Sequence, residues 1–250
     1  MTLLDRMTFK AIALRVDNRD QNIAFYQQTL GLRLLGEENT LAFFSAWNKQ
    51  NLLLIIEESP APETRAVKGN KKINKITLKA ENPSEISDLL ANGAAAQKIY
   101  KGKEGYAFEA LSPQGDLFLL HAEENLKDLI EIVPPHLDKN PDFKGLSAFQ
   151  FDRLAVNAAE PALSQTFYQA LLPVHFPLEL VFTAAQGEDL AADPSQTWDL
   201  EYLEVKVPKD YNLLELKKQL ENKGQAVYLD RKEELLVISD PSRIEIWFSK

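Results

Sequence analysis

The chain has 250 residues, of which 45% are hydrophobic and 26% charged, with a formal net charge of −9 and no cysteine. That length buries one large core or two ordinary ones, and the acidic balance excludes a nucleic-acid backbone as main partner, which would need clustered Lys and Arg. The missing cysteines remove disulfides, thiolate metal sites and a cysteine nucleophile together.

Leu14 and Val16 alternate with Ala13 and Arg15, the period of a half-buried strand. Residues 20–30 shift to a helical period, with Ile23, Phe25-Tyr26 and Leu30 on one side and Gly31 as terminator. Three short strands at 33–36, 41–46 and 52–56 complete a βαβββ unit, and residues 59–71 form a crossing loop. The same order returns: a strand at 73–80, a helix from Pro83 capped by Asn82 or Ser84, and strands at 97–101, 106–111 and 117–121. Ser112-Pro113-Gln114-Gly115 is a turn sequence joining the last two.

Residues 123–133 have a helical pattern, and Pro134-Pro135 then breaks regularity, so 123–145 reads as an interdomain linker with a short helix. Beyond it the pattern restarts with a strand to Val156, a helix over 160–172 and a strand at 178–182. Residues 184–196 carry no strand signal; then follow a strand at 198–207, a helix at 211–223 ended by Gly224, and strands at 226–229, 235–238 and 243–248. The expected fold is α+β: a domain over 1–122 and a more eroded copy over 146–250, each two βαβββ units closing a U-shaped sheet with helices outside.

The strand ending in Asp17, the helix with Phe25-Tyr26, Leu30-Gly31-Leu32, and the turn Asp240-Pro241-Ser242 before Ile244-Glu245-Ile246 together resemble the vicinal oxygen chelate superfamily. Its members are glyoxalases, bleomycin-resistance proteins and extradiol dioxygenases. The paired layout over nearly the whole chain is similar to the CppA family of Gram-positive bacteria. That resemblance implies a proteinase acting on the third complement component, which would make a complement protein the partner. Superfamily enzymes chelate a divalent metal with His, Gln or Glu from the first and last strands of each unit. The matching positions here are Ala11, Leu53 or Leu54, Lys75 and Leu119, then Phe151, Tyr202 and Glu245. Only Glu245 can ligate, and a catalytic metal needs about three protein ligands, so no metal and no cofactor is expected.

Proteinase machinery is also missing from the sequence. The three histidines, His121, His136 and His175, belong to no His-Glu-x-x-His motif, and no Gly-x-Ser-x-Gly elbow is present. A triad assembled from distant positions is still allowed, because triads are defined by geometry.

Strand alternation predicts what lines the cups: Arg15, Lys75, Lys79 and His121 in the first half, and Arg153, Tyr202, Lys206, Arg243, Glu245 and Trp247 in the second. The bland reading of each is a solvated charge, an ion pair or a packing aromatic; Trp247 is the one that suits a planar or peptide ligand. Three functions are therefore expected to compete: metal-free binding of a small molecule or peptide in the cups, the peptidase of the family resemblance, and partner docking or homodimerisation. Met1 to Arg6 holds no secretory pattern and no apolar run approaches roughly 20 residues, so a cytoplasmic location without membrane contact is expected.

Overall fold

The computed structural model describes residues 6–60 and 62–250. The first unit is β1 (Thr8–Val16), α1 (Arg19–Gln28), β2 (Arg33–Glu38), β3 (Leu41–Ser45) and β4 (Leu54–Glu58). Asn18 caps α1 by accepting from the Gln21 amide at 2.9 Å, satisfying one of the helix's orphan donors. The second is β5 (Ile73–Ala80), α2 (Pro83–Ala91), β6 (Lys98–Lys101), β7 (Tyr106–Leu111) and β8 (Leu117–His121), with Asn82 as cap and Pro83 in the first turn.

The segment expected as a helical linker behaves differently. Only a 3-10 turn forms, at Leu126–Asp128, followed by β9 (Ile130–Ile132), which pairs with β6 and extends the sheet. Ile130 and Ile132 alternate across Glu131, a strand period that a helical reading absorbs.

The third unit is short: β10 (Phe149–Ala158), α3 (Pro161–Leu171) and β11 (Glu179–Ala184). The fourth is whole: β12 (Leu200–Lys206), α4 (Leu213–Glu221), β13 (Tyr228–Leu229), β14 (Leu235–Ser239) and β15 (Glu245–Ser249). No helix among the described residues is long and apolar enough to cross a membrane.

The fold is α+β, built from repeats of the βαβββ unit, but the two units of each half do not close on each other. The eight-stranded sheet runs β13-β14-β15-β12-β1-β4-β3-β2, joining the fourth unit to the first. The seven-stranded sheet runs β11-β10-β5-β8-β7-β6-β9, joining the third to the second. Antiparallel pairing of β1 with β12 and of β5 with β10 makes both joints. Chain order predicts nearest neighbours, and here the two crossings between sheets override it. Residues 59–72 and 185–199 run together, with bridges at Arg65–Thr197 and Gly69–Gly187. Trp198 Nε1 donates to the Ser59 carbonyl at 2.6 Å.

One continuous apolar core lies between the sheets, drawing on all four helices and on Ile12, Leu78, Leu154 and Leu203 of the four first strands. Within each half, a helix tyrosine of one unit packs near a turn aspartate of the next. Tyr168 donates to Asp240 at 3.2 Å, and Asp116 acts on the buried Tyr26 phenol, raising its pKa further above that set by burial.

Candidate functional site

In the eight-stranded sheet, Ile12, Leu14 and Val16 face the main core, while Ala11, Ala13, Ile55 and Tyr202 form a separate cluster on the opposite face with Phe43 and Trp247. Backbone register aligns Ile55, Ala13, Tyr202 and Glu245 in one row across four adjacent strands. Tyr202 and Trp247 stack with ring centroids 4.1 Å apart and planes 5° from parallel. Trp247 Nε1 donates to Glu245 at 2.6 Å. Ala11 and Ala13 are sealed from solvent beneath, so this cup is filled by its own side chains.

Charges ring the stack. Register shifts between Phe9 and Ala11 and between Ala13 and Leu14 are bulges, which leave Lys10 and Glu201 out of simple alternation. Lys10 pairs with the buried Glu204 at 2.7 Å. Arg15 holds Glu201 at 2.6 Å and Glu57 at 3.3 Å and also donates to the Ser59 hydroxyl. Burial pushes the Glu201 carboxyl up to about 7, with Arg15 opposing and Glu57 and Glu245 adding to the rise. Loss of hydration outweighs the attraction of a guanidinium that Glu201 shares with Glu57, which is why the rise wins.

The seven-stranded sheet differs. Glu179, Arg153, Thr77, Leu119 and Glu109 follow one another in register on one face. Above them is a cavity of about 400 Å³, lined by Lys75, Thr77, Tyr100, Glu109, Leu119 and Arg153 among others. Leu126, the first residue of the 3-10 turn after β8, and Leu129, just past it, form part of its wall. Lys75 reaches Glu109 at 2.5 Å and Arg153 reaches Glu179 at 2.7 Å. Tyr100 donates to Glu109 at 3.2 Å, and its phenol is pushed up to about 12 by burial and that carboxylate. Alternating cations and anions over an apolar floor can bind a molecule that carries both charges.

The remaining predicted residues fall elsewhere. Lys79 pairs with Glu124 at 2.6 Å near the end of β5. His121, aligned with Lys79, is buried and lies 3.4 Å from Asp152; the imidazole holds the Asp152 carboxyl below its usual range. No hydroxyl hydrogen-bonds to His121 among the described residues. Lys206 is exposed at the end of β12. Arg243 was expected on the cup-facing row and is instead an exposed turn residue with φ of 60°, the position that Gly115 holds at 81° in the second unit. Phe151, expected to face inward, packs in the main core opposite Leu78, because a bulge at Asp152 reverses its side. On β4, Leu54 is a core residue and Ile55 takes the cup position.

The row Ile55, Ala13, Tyr202, Glu245 does not fit a divalent ion. It offers one carboxylate, already hydrogen-bonded to Trp247, where roughly three ligands are needed. No cluster of three or more His, Cys, Asp or Glu suited to a metal occurs among the described residues.

Comparison with known proteins agrees with this architecture. Residues 9–132 match the family model CppA N-terminal, and residues 146–248 match CppA C-terminal. No curated protein matches. Among solved structures, the chain is similar to the cppA protein from Streptococcus pneumoniae TIGR4, at 30% identity over 98% of each chain with a TM-score of 0.83. It is also similar to glyoxalase I from Zea mays, at 10% identity over 98% of this chain and 92% of the other, TM-score 0.58, a likeness of fold alone.

Proposed function

Because the chain belongs to the CppA family, and because its row of chelating positions has lost its ligands, we propose that it is a metal-free binding protein. The seven-stranded cup holds the ligand, a small zwitterionic molecule or short peptide. The observation that carries this reading is the contrast between the cups. One is packed with the Tyr202–Trp247 stack, and the other keeps about 400 Å³ beside the Lys75–Glu109 pair and Arg153. That volume lies within the range of small-molecule sites, roughly 300–1,000 Å³. Lys75 and Arg153 would take the ligand's carboxylate, Glu109 its ammonium group, and Leu119 its apolar portion.

A thermal-shift panel of amino acids, short peptides and divalent metals tests the proposal. A ligand at 100 times its dissociation constant adds about 2.7 kcal/mol of stability. At least one zwitterion should raise the melting temperature and no metal should. A flat response throughout, or a metal response alone, contradicts it.

The peptidase implied by the family resemblance has one local feature in its favour, the His121–Asp152 pair. It needs a nucleophile that the buried imidazole does not contact. Cleavage of a complement protein by the purified chain, lost on His121→Ala, would establish that reading in place of ours.

A further inference from the structure

Each sheet end is a row of unpaired backbone donors and acceptors, and proteins ordinarily guard such rows. Three of the four ends here are guarded. β2 carries Arg33, Glu37 and Glu38 with a bulge at Leu34–Gly36, β13 is two residues long, and β9 is three with Glu131 at its centre. β11 is not guarded. It runs six residues, pairs with β10 without a register shift, and bears no charge after Glu179.

The repeat explains why. In the first, second and fourth units the last strand lies parallel to the first and is followed outward by an antiparallel neighbour: β3 on β4, β7 on β8, β14 on β15. β11 holds that last-strand place beside β10, but among the described residues no strand pairs with its outer edge. On the helix side this leaves a groove of about 540 Å³ between α3 and β11, lined by Leu172, Phe176, Leu180 and Phe182. Val174 stands 95% exposed at its rim.

We propose that β11 of a second copy of this chain fills the missing place, antiparallel across a two-fold axis, making one continuous sheet of both copies. The residues specify the register. Directly opposed residues of an antiparallel pair share a face, so with Val181 on the axis Leu180 meets Phe182 of the partner over the groove. The one charged residue, Glu179, meets Thr183. No like charges oppose each other, which matters for two chains of net charge −9, and apolar meets apolar on the buried face. That self-complementarity favours a second copy over an unrelated peptide, and a two-fold dimer is the commonest closed assembly.

Sedimentation equilibrium over a concentration series tests this. Wild type should be dimeric, and Val181→Glu and Val181→Lys, each placing like charges on the axis, should each be monomeric. An equimolar mixture of the two should recover the dimer. Hydrogen exchange on the wild-type protein is independent of how the variants fold: amides at 179–184 should slow as concentration rises while the other sheet ends do not change. A wild-type monomer throughout, variants that stay dimeric, a mixture that stays monomeric, or β11 exchange that ignores concentration overturns the proposal.

Discussion

Arg65 in the first crossing between sheets grips Asp189 in the second with two hydrogen bonds, at 2.6 and 2.8 Å. Asp189 also accepts from the Lys68 amide at 2.7 Å. This bidentate pair ties together the two segments whose course sends each half of the chain into both sheets.

The Arg65 guanidinium holds the Asp189 carboxyl down to about 2. A depressed carboxylate gives its full stabilisation above its unfolded value near 4 and loses it as pH falls towards 2. Asp189→Ala should therefore speed amide exchange across residues 59–72 and 185–199 at neutral pH and leave the sheet interiors unchanged. The same segments should loosen in the wild type on acidification to that range.

Glu201 gives the opposite sign. Its pKa is raised in the folded state, so the folded chain binds the extra proton, and stability falls as pH rises from about 4.5 to about 7. Asp240, pushed up to about 6 by burial, acts in the same window. Glu201→Gln should remove its own share of the slope and make the variant more stable than wild type at pH 8 by about 1–3 kcal/mol. Urea unfolding at a series of pH values measures both.

Gly145 has φ of 140°, and a Cβ there would lie 2.3 Å from the Gly31 carbonyl oxygen and from Trp47 Nε1. The Leu146 amide donates to that same Gly31 carbonyl at 2.9 Å, so the end of the inter-half segment is pressed against the α1–β2 turn. Gly145→Ala should cost at least about 2 kcal/mol, from strain plus overlap, read as a lower urea midpoint with an unchanged slope.

The helices and most strands were legible because their periods are clean. Asn18, Asn82 and Asn212 each cap a helix by side-chain acceptance, as the local pattern implies. Which unit pairs with which was not legible, since it depends on contacts such as Arg65–Asp189 between residues over a hundred positions apart. At the cups, alternation placed Ala13, Arg15 and Tyr202 on one face, but it passed over Lys10, Glu57, Ser59 and Glu201. Lys10 and Glu201 sit at bulges, where period two fails, and nothing in the sequence marks those bulges. Arg243 misled because an arginine occupies a left-handed turn position that its counterpart fills with Gly115.

The central claim is that the open seven-stranded cup binds and the filled eight-stranded cup does not. Titration calorimetry of the strongest thermal-shift ligand against three proteins tests it most directly: wild type, the double variant Lys75→Met with Arg153→Gln, and Glu245→Gln. The double variant should bind at least about tenfold more weakly, a loss of roughly 1.4 kcal/mol, while Glu245→Gln binds as wild type does. Unchanged affinity in the double variant, or a loss confined to Glu245→Gln, would contradict the account.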